Sequence, residues 1–259
     1  GSALAPIVIV PLILWFGWRG MFQVLGVVGL IYVFFYALFV KQSKPKEEVG
    51  EDKVSKTKYF LRLMKYSMIW KLVLCAFCVS CINKGLDAWM PTYLIAERGI
   101  NLKAVGYLTP IPFMASFLSA AVCGWFMNKY FDKKEHYMVA ICAAMTAIFL
   151  YFMYNAETIM WVVIFQCGVY FFKACILGAA VAIVLKIVTG KIAGSASTLI
   201  NMGGQVAGFI SPVVMGYLVH AFNGSFNAVF YFLMGMATLC AISALLIPKR
   251  TEDVLDLEE

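Results

Sequence analysis

Apolar residues along this chain gather into long unbroken runs, with polar and charged residues collected between them. Eight runs stand out: Ala3–Phe16, Met21–Val40, Trp70–Ile95, Val105–Met127, Tyr137–Tyr154, Ile159–Val188, Ile192–Phe222 and Phe226–Ile247. A helix of about 20 apolar residues crosses the ~30 Å hydrocarbon core of a bilayer, and seven of the runs are long enough. The first holds 14 residues. At about 1.5 Å per residue it reaches only roughly 21 Å. It has neither the basic leader nor the small-residue cleavage site of a signal peptide. The chain is therefore expected to begin inside a helix, as part of a longer protein. Barrel strands are runs of about 10 residues with alternating polarity, a pattern not seen here. The expected class is an all-α polytopic membrane protein.

One run has a sharply divided periphery. Between Ala193 and Gly216, the residues Ser197, Asn201, Gly204, Gln205, Gly208, Pro212 and Gly216 share one helical face. Leu199, Val206, Ile210, Val213 and Val214 share the other. In lipid, small residues face another helix, and polar ones face a partner or a cavity. The glycines predict a close-packing seam. Asn201 and Gln205 either help to pack it or line a cavity.

Composition agrees, with 63% hydrophobic residues, 14% charged and a mean hydropathy of +0.85; a soluble chain carries about 25% charged residues. The placement of the charges matters more. Fifteen Lys and Arg fall in the loops after the second, fourth and sixth runs and in the C-terminal tail, and only Arg19, Arg98 and Lys103 in the alternate loops. By the positive-inside rule both termini and the long loop are expected on the cytoplasmic side of a cell membrane. The net charge of +7 reflects this bias and does not suggest nucleic acid. Within the long loop, Lys56–Tyr66 alternates basic and apolar residues. It reads either as an in-plane amphipathic helix or as a snorkelling lead-in to the third run.

Two lysines remain deep in apolar runs. Lys84 lies fourteen residues into the third run and Lys173 fourteen into the sixth. The six runs after the long loop thus divide into two triples, each opened by a lysine-bearing helix, as in transporters built from inverted repeats. A charge at the bilayer centre costs at least about 2.5–3.5 kcal/mol, so it faces a cavity or a partner. Ser80, Lys84 and Asp87 share a face; Lys84 either pairs locally with Asp87 or faces water and attracts an anion. Lys173 shares a face with Gln166 and Tyr170 and has no acid within a turn. It is expected to meet an anionic ligand in a cavity or, failing that, an acid on another helix such as Asp87. Pro91, Pro110, Pro112 and Pro212 fall within runs and are expected to kink them. Trp89 either stacks on a ligand or packs. Cys75, Cys78 and Cys81 have no nearby metal-ligand partner in sequence and read as packing. No Ser-His-Asp array, HExxH, P-loop or paired carboxylate appears. The chain reads as a non-enzyme that needs no metal or cofactor.

Several stretches resemble the major facilitator superfamily. Gly17–Phe22 (GWRGMF) resembles the turn between its fifth and sixth helices, and Gly1–Pro6 (GSALAP) the start of its fifth. Cys81–Gly99 is similar to the seventh helix of anion:cation symporters that carry sugar acids such as hexuronates and galactonate. Ser197–Gly216, followed by Gly224-Ser225-Phe226, resembles their eleventh helix and its outer turn. The resemblance implies a partial facilitator fold of helices five to twelve. Residues 1–41 would close the N-terminal bundle, 42–66 link the halves, 67–248 form the C-terminal six-helix bundle and 249–259 a cytoplasmic tail. In the inner loop Gly124–Lys134, Asn128 stands where the family motif has Asp, leaving Asp132 as the candidate gating charge. The proline usual between helices ten and eleven is missing around Thr189–Lys191.

The resemblance implies a secondary transporter of small organic anions, moving sugar acids by alternating access with a symported cation such as H⁺. Candidate substrate contacts are Lys84, Gln166, Tyr170, Lys173, Asn201 and Gln205; Asp87 and Asp132 are candidate charge partners. The partners implied are the anion, the coupling cation, the bilayer and the first four helices of the same transporter. An organophosphate:phosphate antiporter is the alternative, though that family has an arginine about where Asn83 stands. A non-transporting sensor or truncated pseudo-transporter is an alternative of another class.

Overall fold

The computed structural model describes residues 4–39, 64, 66–131, 134–187 and 193–247. Regular structure among them is entirely helical: α1 (Leu4–Phe39), α2 (Ser67–Ala96), α3 (Leu102–Leu108), α4 (Pro110–Tyr130), α5 (Glu135–Tyr154), α6 (Ile159–Ile187), α7 (Ala193–Ala221) and α8 (Asn227–Leu245). Uniformly apolar runs have no competing turn chemistry, and in lipid the backbone must satisfy its own hydrogen bonds. Seven helices among the described residues are long and apolar enough to cross a membrane, with α3 and α4 counted as one span. Most of the expected linker and the whole expected tail lie outside the described residues.

The runs at Ala3–Phe16 and Met21–Val40 form two helical pieces, as expected, with the break between them confined to Gly17. They lie in one 36-residue element interrupted at Gly17, where φ is 68° and ψ 174°. Glycine alone takes this backbone conformation cheaply, whereas Trp18–Phe22 hold neither proline nor turn chemistry and stay helical. One expectation needs correction, that of the prolines. Pro91 and Pro212 are inside α2 and α7, but Pro110 opens α4 and Pro112 lies in its first turn. There the missing N–H has no intrahelical partner to lose, so these two start a helix and do not kink one.

α1 is exposed along nearly all its length, with Met21 alone buried. It packs on α3 and α4, where Gly106 leaves room for Val10. The other helices pack by exchange between the triples α2–α5 and α6–α8. The first helix of each triple lies against the middle helix of the other, α2 on α7 and α6 on α4. The last helices, α5 and α8, meet each other. Two buried clusters fill the interior. One runs from Leu72 to Ile247 around Val79, Cys142 and Ile176. The other gathers Ile82, Met90, Tyr170, Met215 and Phe230. On α6 the first cluster begins at Cys175 and the second ends at Tyr170, so Lys173 sits at their boundary.

Candidate functional site

The boundary between the clusters holds a compact charged group. Lys173 Nζ lies 3.2 Å from Asp87 Oδ1, and the Tyr170 hydroxyl donates to the same oxygen at 2.7 Å. The ammonium also sits 3.3 Å from the centroid of the Tyr170 ring. Phe113 of α4 braces that ring edge-on at 5.2 Å. Spacing explains the assembly: Gln166, Tyr170 and Lys173 follow one another at helical intervals on α6, and the Gln166 side chain reaches the Tyr170 hydroxyl. All three are buried, whereas the Asp87 side chain is 32% exposed against 3% for Lys173. A cation removed from water this way requires a paired anion or a π face, and it has both.

Lys84 is exposed, one turn before Asp87. Asp87 pairs across helices with Lys173, and the local Lys84–Asp87 pair does not form. Among the described residues Lys84 makes no hydrogen bond or ion pair; its stem passes over Gly208 of α7, where a Cβ would stand 3.5 Å from Lys84 Cγ. The same helix pair carries a seam of small residues. A Cβ on Gly203 would stand 2.8 Å from Val73, and one on Gly204 2.8 Å from the Ser80 hydroxyl. Ser211 donates to the Cys81 carbonyl at 2.7 Å. Trp89 donates its indole N–H to the Pro212 carbonyl at 3.1 Å and packs on Gly216, so in this structure it holds the seam.

Beside this seam lies a cavity of about 250 Å³ between α2, α6 and α7. Ser80, Ser197 and Asn201 are its polar lining, against an otherwise aliphatic wall that includes Val79, Leu177 and Ile200. Asn201 thus borders open space, while Gln205 is exposed and is not part of that lining. The structure brings Asp87, Gln166, Tyr170 and Lys173 together, with Lys84 one turn from Asp87 on α2, and leaves Asn201 and Gln205 on α7. Asp132 lies outside the described residues. Sequence reasoning missed the paired serines. Ser116 of α4 donates to the Tyr170 carbonyl at 3.0 Å, as Ser211 does to that of Cys81. Tyr170 and Cys81 each stand three residues before the lysine of their helix, and that shared register was the available signal.

A helical membrane bundle with a buried, ion-paired lysine beside a small cavity defines the class: an integral membrane protein with a charged intramembrane site. The family model described as Major Facilitator Superfamily matches residues 1–172, and the chain belongs to that superfamily. It is 28% identical to a probable sulfoacetate transporter of Cupriavidus necator, over 99% of this chain and 64% of that protein. It is 24% identical to a probable galactarate/D-glucarate transporter of Bacillus subtilis, over 94% of this chain and 60% of the relative. A hexuronate transporter of Bacillus subtilis is 23% identical, over 95% and 61%. The chain therefore spans between 60% and 64% of the length of these relatives. Its fold is similar to an inward-facing, occupied bacterial homolog of the human lysosomal transporter Spinster. The TM-score is 0.61 at 13% identity, covering 88% of this chain and 56% of that one.

Proposed function

We propose that the chain is the helix-five-to-twelve portion of a secondary transporter of small organic anions, sugar acids or the related sulfonated acids, driven by symport of a cation such as H⁺. The observation that carries this reading is the buried Lys173, paired with Asp87 between α6 and α2. Intramembrane charges are expensive and mark substrate or ion pathways. The names of the relatives supply the substrate class: sulfoacetate, galactarate, glucarate and hexuronate are all anions. On this reading residues 1–41 close the N-terminal bundle, 42–66 link the halves, 67–248 form the C-terminal bundle and 249–259 are a tail. Both termini are cytoplasmic and the membrane is that of the cell. Helices one to four of the same transporter complete the cavity against the exposed faces of α1, α2 and α7.

Lys84 and Lys173 supply positive potential, and Asn201, Gln205 and Gln166 supply hydrogen bonds to carboxylate or hydroxyl oxygens. Tyr170 positions Lys173 and Asp87. Rocking of the two bundles then exposes the site to each side in turn. The test is uptake of D-glucarate, D-glucuronate and sulfoacetate by the full-length protein in proteoliposomes, with and without an inward proton gradient. Accumulation that depends on the gradient is the expected result. Uptake of none of the three acids would remove the reading, and uptake indifferent to every cation gradient would remove symport.

A further inference from the structure

We propose that the cavity between α2, α6 and α7 seats a short apolar tail of the transported anion, so that the preferred substrate is a small carboxylic or sulfonic acid with few hydroxyl groups. The inference rests on the transport reading above and narrows it. Its basis is register. On each of the three helices the cavity lies one turn from a lysine, or from the residue that a lysine covers. Ser80 precedes Lys84 by four residues, and Leu177 follows Lys173 by four. Gly204 precedes by four Gly208, over which the Lys84 stem passes. Four residues are about 6 Å of helix. An acid group held by Lys84 thus has the cavity within reach of the next few atoms of its own molecule.

The lining decides what those atoms can be. From α6 come Leu177, Ala180 and Val181, whose side chains offer no hydrogen bond. The polar side chains, Ser80, Ser197 and Asn201, come from α2 and α7. Ser80 is turned toward α7, since a Cβ on Gly204 would stand 2.8 Å from its hydroxyl. A chain with a hydroxyl on every carbon presses some of them against the α6 wall, where each loses its water without gaining a partner. A chain with one or two polar groups turns them to α2 and α7 and its methylenes to α6. The space is about 250 Å³, just below the usual range of about 300–1,000 Å³ for ligand pockets, which suits part of a small molecule. Lys84 supplies the complementary charge, being exposed and without an ion pair among the described residues.

The test uses the full-length protein in proteoliposomes and, as tracer, whichever of sulfoacetate, D-glucuronate, D-glucarate or propane-1-sulfonate the wild type accumulates. Methane-, ethane- and propanesulfonate compete against it. Sulfonates stay ionised at any working pH and do not leak across the bilayer as neutral acids. The half-inhibitory concentration is expected to fall about fourfold with each added methylene, and Leu177→Asn is expected to flatten the series. A series already flat in the wild type overturns the inference and leaves the transport reading standing, because water or helices one to four then fill the cavity. An equal slope in wild type and Leu177→Asn also overturns it, because the gain then arises elsewhere than against α6. Should Leu177→Asn fail to fold, Val181→Asn, at a position 59% exposed, is read in its place by the same outcomes. Accumulation of no tracer by the wild type overturns the transport reading and this inference with it.

Discussion

Asp87 and Lys173 are unequal partners, and the inequality has measurable consequences. Removing one member of a buried ion pair costs about 3–5 kcal/mol, chiefly because the other is left charged and unpaired. Here the two orphans differ. Lys173→Met leaves a carboxylate that is 32% exposed and still accepts from Tyr170. Asp87→Asn leaves an ammonium that is 3% exposed. Thermal unfolding of the detergent-solubilised protein should therefore show the larger loss for Asp87→Asn, about 3 kcal/mol against about 1 kcal/mol for Lys173→Met. Equal losses would mean that solvent reaches Lys173 freely. Uptake should follow the opposite logic. Lys173→Met removes the cation itself and should lower organic-anion uptake by roughly tenfold or more; unchanged uptake kinetics would take Lys173 out of the site. That Lys173 needs a partner was legible in its sequence, since no acid stands within a turn of it. Asp87 was already a candidate for that partner; that Tyr170 bonds the same oxygen was not legible, because that contact joins two helices far apart in the chain.

At the scale of helices, α2 and α7 are held by a seam whose tolerance varies residue by residue. A Cβ on Gly85 would stand 2.5 Å from Met215 Sδ and 2.7 Å from Ser211 Oγ, whereas one on Gly235 would meet nothing within 4 Å. Ser211 cannot retreat without losing its bond to the Cys81 carbonyl. Gly85→Val should thus force the helices apart and lower the unfolding temperature and membrane yield, while Gly235→Ala leaves both near wild type. Similar behaviour of the two would show that the seam is not closely packed. Most of this seam was written in the glycine stripe of α7, since in lipid the small face of a helix is its packing face. Its partner helix was not, nor was the cavity, because Ser80 comes from α2 and Leu177 from α6. Asn201 lies on that cavity's wall, so Asn201→Cys, with the native cysteines replaced, should react with a soluble thiol reagent and be protected by transported acid. Complete resistance to labelling in all transport states would make Asn201 a packing residue. The Gly17 break teaches the converse lesson. The residues 17–22 resemble a turn, yet five of the six keep helical geometry because glycine alone there departs from it.

The whole molecule is organised by an exchange that the two lysines already hinted at. Lys84 and Lys173 each lie fourteen residues into an apolar run, and Ser211 and Ser116 donate to carbonyls three residues before each. Such a pattern is what two interlocked inverted helix triples would produce. Orientation in the membrane is a separate matter, and the loops decide it. With fifteen basic residues in one set of loops and tails and three in the other, the basic set should stay in the cytoplasm. The two ends are then distinguishable by chemistry. Asn223, at φ 53° beside Gly224 in the turn after α7, is exposed at the end that is poor in basic residues. Lys134, exposed just before α5, belongs to the basic end. Single cysteines at these positions, with the native ones replaced, should respond oppositely to a membrane-impermeant thiol reagent. Asn223→Cys should be labelled in intact cells, and Lys134→Cys only in inside-out vesicles. The reverse pattern would invert the protein in the membrane. It would also place the Asn201 cavity, which lies toward the basic end from Lys84, on the outer side.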